Sequence, residues 1–179
     1  MNSAEQYQPH YTVHDYCLWE GEWELWNGNA VAMTPIPFGR YASVLGRIVT
    51  ALNNAIARDK CPATVLVEID WIVANDTVLR PDVTVVCGQA PERHVQETPA
   101  LVVEVLSEST RERDLIYKRK IYEEQTVRWY LILDPDESTL QALKLDSNGE
   151  YQQVAQSETL QVDLRDDCSM NVSIEGLFV

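Results

Sequence analysis

The chain has 179 residues, 45% of them hydrophobic, and a formal net charge of −14. That length favours one domain able to bury a sizeable core, and the apolar share excludes a disordered chain. The acidity argues against a dedicated nucleic-acid binder held by non-specific charge, and no apolar stretch nears the roughly 18 residues that span a bilayer.

Residues 1–16 have neither a basic start nor an apolar segment, so no signal peptide is expected. Residues 1–13 read as a flexible tail on a single domain covering 1–179. His10 and His14 stand i,i+4 there without further ligands, which is too little for a metal site. EGEWELWNGNAVAMTP (20–35) predicts a hairpin: Trp23, Leu25, Ala30 and Ala32 alternate with polar neighbours around the two-residue turn Asn27-Gly28. Pro35 and Pro37 end it. From 41 to 58, Val44, Leu45, Ile48, Val49, Leu52 and Ile56 recur at three and four, which predicts an amphipathic helix. Strands are expected at 63–67, 71–73 and 78–86, then a loop marked by Gly88, Pro91 and Pro99. Residues 101–106 are apolar on both faces, as in a central strand.

Ser109-Thr110-Arg111-Glu112 matches a capping box, with Ser109 as N-cap of a helix running to about 125. A strand at 129–133 follows, stopped by Asp134-Pro135. An antiparallel pair at 140–145 and 151–154 turns at Ser147-Asn148-Gly149, and a last strand is expected near 160–162. Strand, helix and strand between 101 and 133 predict a right-handed βαβ crossover. The sum is an α/β domain, a mixed central β-sheet flanked by helices, with an N-terminal β-hairpin.

Cys17, Cys61, Cys87 and Cys168 are scattered, which fits neither a zinc knuckle nor a CxxC pair; reduced thiols in a cytoplasmic protein are expected. The five tryptophans are read as core or dimer-interface residues rather than base-stacking platforms. Bases cluster at Arg111, Arg113, Lys118, Arg119, Lys120 and Arg128, a solvated helix face or a local phosphate contact.

Three ionisable groups stand out. Asp82 follows Pro81 in LRPDVTVV, either facing solvent where a strand starts or serving as a ligand. Glu104 interrupts LVVEVL. A buried carboxylate is costly unless paired or bound to a cation, which leaves a salt bridge to Arg80 or another base, or a metal. Lys118 shares a helical stripe with Asp114 and Tyr122. Its plain reading is an exposed pair with Asp114, yet the first turns of a crossover helix lie over the preceding strand's C-terminal end, within a lysine's reach of Glu104. Two carboxylates on adjacent strands suit Mg²⁺, with Mn²⁺ as substitute. Such an ion acidifies a water and polarises a phosphodiester, and the lysine orients or deprotonates that water or neutralises developing charge.

Asp, then Glu on the next strand, then Lys resembles the PD-(D/E)xK nuclease pattern. Pro81-Asp82-Val83, Val103-Glu104-Val105-Leu106-Ser107, Ser109-Thr110, Asp114, Lys118, Tyr122 and Trp129-Tyr130 through Asp134-Pro135 resemble the Uma-two family of restriction-endonuclease-like proteins. The hairpin at 20–24, Met33-Thr34-Pro35 and the following helix extend the resemblance over 14–179. It implies a restriction-endonuclease-like fold and a Mg²⁺-dependent endonuclease acting on DNA, with Asp82 and Glu104 as metal ligands. Leu106 stands where the pattern has lysine, and the resemblance implies that Lys118 replaces it; Lys120 is the alternative, about 200° around the helix. Tyr41 stands where relatives often have histidine, and with Tyr122 and Asp114 is expected to support the site. A homodimer is expected by analogy. The second reading is a catalytically inactive module of this fold that binds a protein or nucleic-acid partner, favoured by the net charge and by Tyr41.

Overall fold

Alternation along two neighbouring strands sorts the core into two faces. In β7 (Leu101–Val105), Leu101, Val103 and Val105 join one buried cluster, while Val102 and the following Leu106 join another. In β8 (Trp129–Asp134), Trp129, Leu131 and Leu133 go to the first cluster, Tyr130 and Ile132 to the second. This is the period of two that a strand buried on both sides requires. The structure, a computed structural model, describes residues 9–33, 39–165 and 168–179.

The expected hairpin forms from β1 (Trp23–Trp26) and β2 (Asn29–Ala32), and Asn27 and Gly28 both take positive φ at the turn. Its expected exit through Pro35 and Pro37 lies outside the described residues. The amphipathic helix is α2 (Gly39–Asp59), after a short α1 (Val13–Tyr16) that the sequence reading missed. Within the expected tail, residues 9–12 are tied down: Tyr11 N donates to Gly28 O, and His10 Nε2 lies 3.2 Å from Asp76.

Next come β3 (Ala63–Val67), β4 (Trp71–Ala74), β5 (Thr77–Leu79) and β6 (Val83–Cys87). The single strand expected at 78–86 is therefore two strands, and they belong to different sheets. β5 joins the order β2-β1-β5-β4, and β6 joins the central sheet. The break falls at Pro81, which has no N–H for a ladder, next to Arg80, whose N–H donates to a Glu24 carboxylate instead. The central sheet has the order β10-β9-β8-β7-β6-β3, with β9 (Thr139–Leu145) and β10 (Tyr151–Gln153) at one edge. Among the described strands of this sheet only β7 and β8 pair in parallel, as a βαβ crossover demands.

That crossover starts from Ser107, not Ser109: the amides of Thr110 and Arg111 donate to the Ser107 carbonyl. It continues as a π-helical segment, Arg113–Lys118, into α3 (Arg119–Glu124). α3 covers the Val102 face of the sheet through Ile121 and Tyr122, and α2 covers the Val103 face. The last expected strand is longer, β11 (Thr159–Arg165), and pairs with β12 (Cys168–Ser173), which was missed. Cys61 and Cys168 form a disulfide across 107 residues, with Cα atoms 5.2 Å apart. This corrects the expectation of reduced thiols for Cys61 and Cys168, though not for Cys17 and Cys87, because spacing along the chain says nothing about which cysteines the fold brings together. Among the described residues no helix is long and apolar enough to cross a membrane.

Candidate active site

Period two places Glu104 on the face of β7 that α3 covers, with Val102 and Leu106. β6 runs antiparallel to β7 with Val83 opposite Val103, and continuing that register by one residue sets Asp82 opposite Glu104. Directly opposed side chains have Cβ atoms about 5 Å apart. Asp82 is fixed at both oxygens: Oδ1 accepts from the Tyr41 hydroxyl at 2.7 Å, Oδ2 from the Val105 amide at 2.6 Å. Tyr41 comes from the start of α2, whose buried stripe aims it at the sheet. Asp82 is thus neither free nor facing open solvent.

Glu104 is 1% exposed. Its Oε1 accepts from Lys118 Nζ at 3.1 Å and from the Tyr122 hydroxyl. Oε2 accepts no hydrogen bond among the described residues, and Glu104 lines the cavity. The partner is Lys118 rather than Arg80, whose guanidinium is taken by Asp70 and Glu22. Lys120 is exposed and pairs with Glu124, so it does not reach the cluster. Lys118 Nζ lies 3.2 Å from Glu24 and 3.5 Å from Asp114, and donates to the Arg80 carbonyl. Its pair with Asp114 is buried, not the exposed one that helical spacing suggests.

Asp82, Glu104, Lys118, Asp114 and Tyr41 therefore line one cavity of about 70 Å³, with Tyr122 behind Glu104. That is room for several waters or a hydrated ion. Glu24 is the residue sequence reasoning missed. It is 4% exposed, accepts from the Arg80 amide and the Trp26 indole, and holds Lys118. The only signal was a glutamate inside an apolar hairpin strand, the same anomaly that flagged Glu104.

Burial sets the protonation behaviour. It pushes Asp82 up to about 6, against the pull of Lys118 and the Tyr41 hydroxyl. It lifts Glu104 well above the usual carboxylate range; Lys118 opposes this, and Asp114 and Asp82 add to it. Burial pulls Lys118 down, but Glu104, Glu24, Asp114 and Asp82 outweigh it and hold the amine well above its ordinary value. Lys118 is therefore an ammonium, a hydrogen-bond donor and point charge rather than a base. Tyr41 is raised by burial and by Asp82, so it keeps its proton and donates it.

The cavity fits a hard divalent cation. Its donors are oxygens, Glu104 Oε2 accepts no hydrogen bond among the described residues, and five carboxylates (Glu24, Glu68, Asp82, Glu104, Asp114) face three cations (Arg80, Arg113, Lys118). Among the described residues no three His, Cys, Asp or Glu side chains form a metal-holding group. The chain would thus give one or two carboxylates and leave the remaining positions to water, as Mg²⁺ prefers.

A family model, Uma2, described as "Putative restriction endonuclease", matches residues 13–173. A solved structure from Anabaena variabilis, a "putative nuclease belonging to DUF820", superposes with a TM-score of 0.73 at 16% identity, over 94% of this chain and 97% of that one. At that identity the likeness is one of fold. No curated protein matches the chain.

Proposed function

Because the chain belongs to the Uma2 family of restriction-endonuclease-like proteins, we propose that it is a Mg²⁺-dependent endonuclease that hydrolyses DNA phosphodiester bonds at the Asp82–Glu104–Lys118 cluster. One observation supports the reading: Glu104 lies across from Asp82 in the same cavity, with Oε1 3.1 Å from the Lys118 ammonium and Oε2 accepting no hydrogen bond among the described residues. Asp82 and Glu104 would hold a Mg²⁺ or Mn²⁺ ion, which would supply Lewis-acid polarisation of the phosphodiester and an acidified water. The Tyr41 hydroxyl and Val105 amide fix Asp82, and Tyr122 fixes Glu104. The Lys118 ammonium, steadied by Glu24 and Asp114, orients the attacking water and neutralises charge on the pentacovalent phosphorus. Two copies, a homodimer, would address the two strands of a duplex.

The test is titration calorimetry with Mn²⁺ together with nicking of supercoiled plasmid in Mg²⁺. Wild type binds and nicks. Asp82→Asn and Glu104→Gln each lose roughly tenfold or more in affinity and lose nicking. A wild-type chain that neither binds Mn²⁺ nor nicks sinks the reading. That result would favour the second reading, a non-catalytic module of the same fold, which draws on the net charge of −14 and on Tyr41 at the site.

A further inference from the structure

We propose that the Arg113 guanidinium, with the hydroxyls of Ser107 and Thr110, forms a phosphate subsite in the cavity that the carboxylates also line. The subsite would take a backbone phosphate of the nucleic-acid strand, and in this it rests on the nuclease reading above. Ser107, Thr110 and Arg113 follow one another at three-residue spacing where the crossover helix starts, and all three line the cavity. The Ser107 and Thr110 hydroxyls lie 3.0 Å apart. Each hydroxyl can rotate to donate to an incoming oxygen.

Arg113 differs from the other two cations of the cavity. Arg80 is bound by Asp70 and Glu22, and Lys118 by Glu104, Glu24 and Asp114. Among the described residues Arg113 forms no ion pair. It is nevertheless held in place: its guanidinium carbon lies 5.8 Å from the Trp26 ring centre, and NH1 donates to the Ala32 carbonyl at 3.1 Å. Trp26 is also stacked on Tyr117, ring centres 4.2 Å apart. A guanidinium orientated in advance with most of its donors unspent suits the bidentate geometry of a phosphate. A strand brought to five carboxylates also needs positive charge beyond one ion and Lys118. A wider groove of about 590 Å³ leads away past Tyr41 and Ser107, so a ligand longer than one phosphate can lie across the subsite.

The alternative is that Arg113 only staples the hairpin to the helix. Binding of a fluorescent 20-base-pair DNA duplex in Ca²⁺, measured from low to high salt, separates the two. Arg113→Gln is expected to weaken binding roughly tenfold and to reduce the salt slope by about one, with Mn²⁺ binding unchanged. Arg113→Lys should keep the slope and recover part of the affinity. If Arg113→Gln does not fold, Arg113→Lys and Thr110→Val carry the test, each weakening duplex binding without loss of Mn²⁺. Wild-type affinity and slope in the variants overturn the subsite while wild-type nicking leaves the nuclease reading standing. A wild-type chain that neither binds the duplex nor nicks plasmid overturns both.

Discussion

Lys118 Nζ lies 3.1 Å from Glu104 Oε1, in a pair of which neither side chain is more than 7% exposed. Fourteen residues separate them in sequence, and one strand-to-helix connection brings them together. The lysine is shared with Glu24 and Asp114, so one cation offsets three buried carboxylates.

That imbalance predicts opposite effects for the two partners. Lys118→Met strands several buried carboxylates and should cost about 3–5 kcal/mol. Glu104→Gln keeps the shape, removes a charge that burial penalises, and leaves Lys118 with Glu24 and Asp114. Its cost should be below about 1 kcal/mol, or a gain. Urea unfolding of both variants checks this; a Glu104→Gln protein less stable than Lys118→Met would contradict the charge balance described here.

The pH dependence follows from Asp82. Its ordinary value is 3.8 and the folded protein raises it to about 6. Between those values the folded chain binds the proton and the unfolded chain does not, so the stability contribution is full below 3.8 and lost as pH rises through about 6. Without divalent metal, stability should fall across that window, and Asp82→Asn should flatten the fall. Mn²⁺ needs the deprotonated carboxylate, so its affinity should climb over the same range. Chemical denaturation and calorimetry at stepped pH measure both, and a metal affinity independent of pH from 4 to 7 would refute the assignment of Asp82 as a ligand.

The Cys61–Cys168 bridge closes a loop of 107 residues. Removing a bridge of that span typically costs roughly 2–5 kcal/mol. The double change Cys61→Ser and Cys168→Ser should lower the melting temperature in non-reducing buffer and abolish the effect of added reductant. Intact mass before and after thiol labelling checks the bond directly. Labelling of all four cysteines in the folded, unreduced chain would disprove it.

Much of the fold was legible because its signals are local. Asn27-Gly28 set the hairpin, the three-and-four spacing of Val44, Ile48 and Leu52 set α2, and the two-faced apolar run of 101–105 set the central strand. The failures differ in cause. The run 78–86 was read as one strand across Arg80-Pro81-Asp82, and the sheet partners of Leu79 and Val83 reveal that it belongs to two sheets. Residues 168–173 do alternate, Cys168, Met170 and Val172 inward against Ser169, Asn171 and Ser173, so β12 was legible and was overlooked; β11 pairs with it and α2 packs against it.

For the site, the sequence by itself determined the anomalies: a carboxylate inside LVVEVL, an aspartate after Pro81, and a lysine on a stripe with Asp114 and Tyr122. An ionisable group in an apolar run must find a partner, because burial penalises its charge, and that demand is readable in one dimension. Only the tertiary structure decided who the partners are. It set Asp82 across from Glu104 through strand register, turned Lys118 rather than Lys120 inward, and brought Glu24 from a separate sheet to share the same ammonium. It also joined Cys61 to Cys168. These are contacts between distant segments, fixed by how sheets and helices pack, and the spacing of residues along a chain carries no record of them.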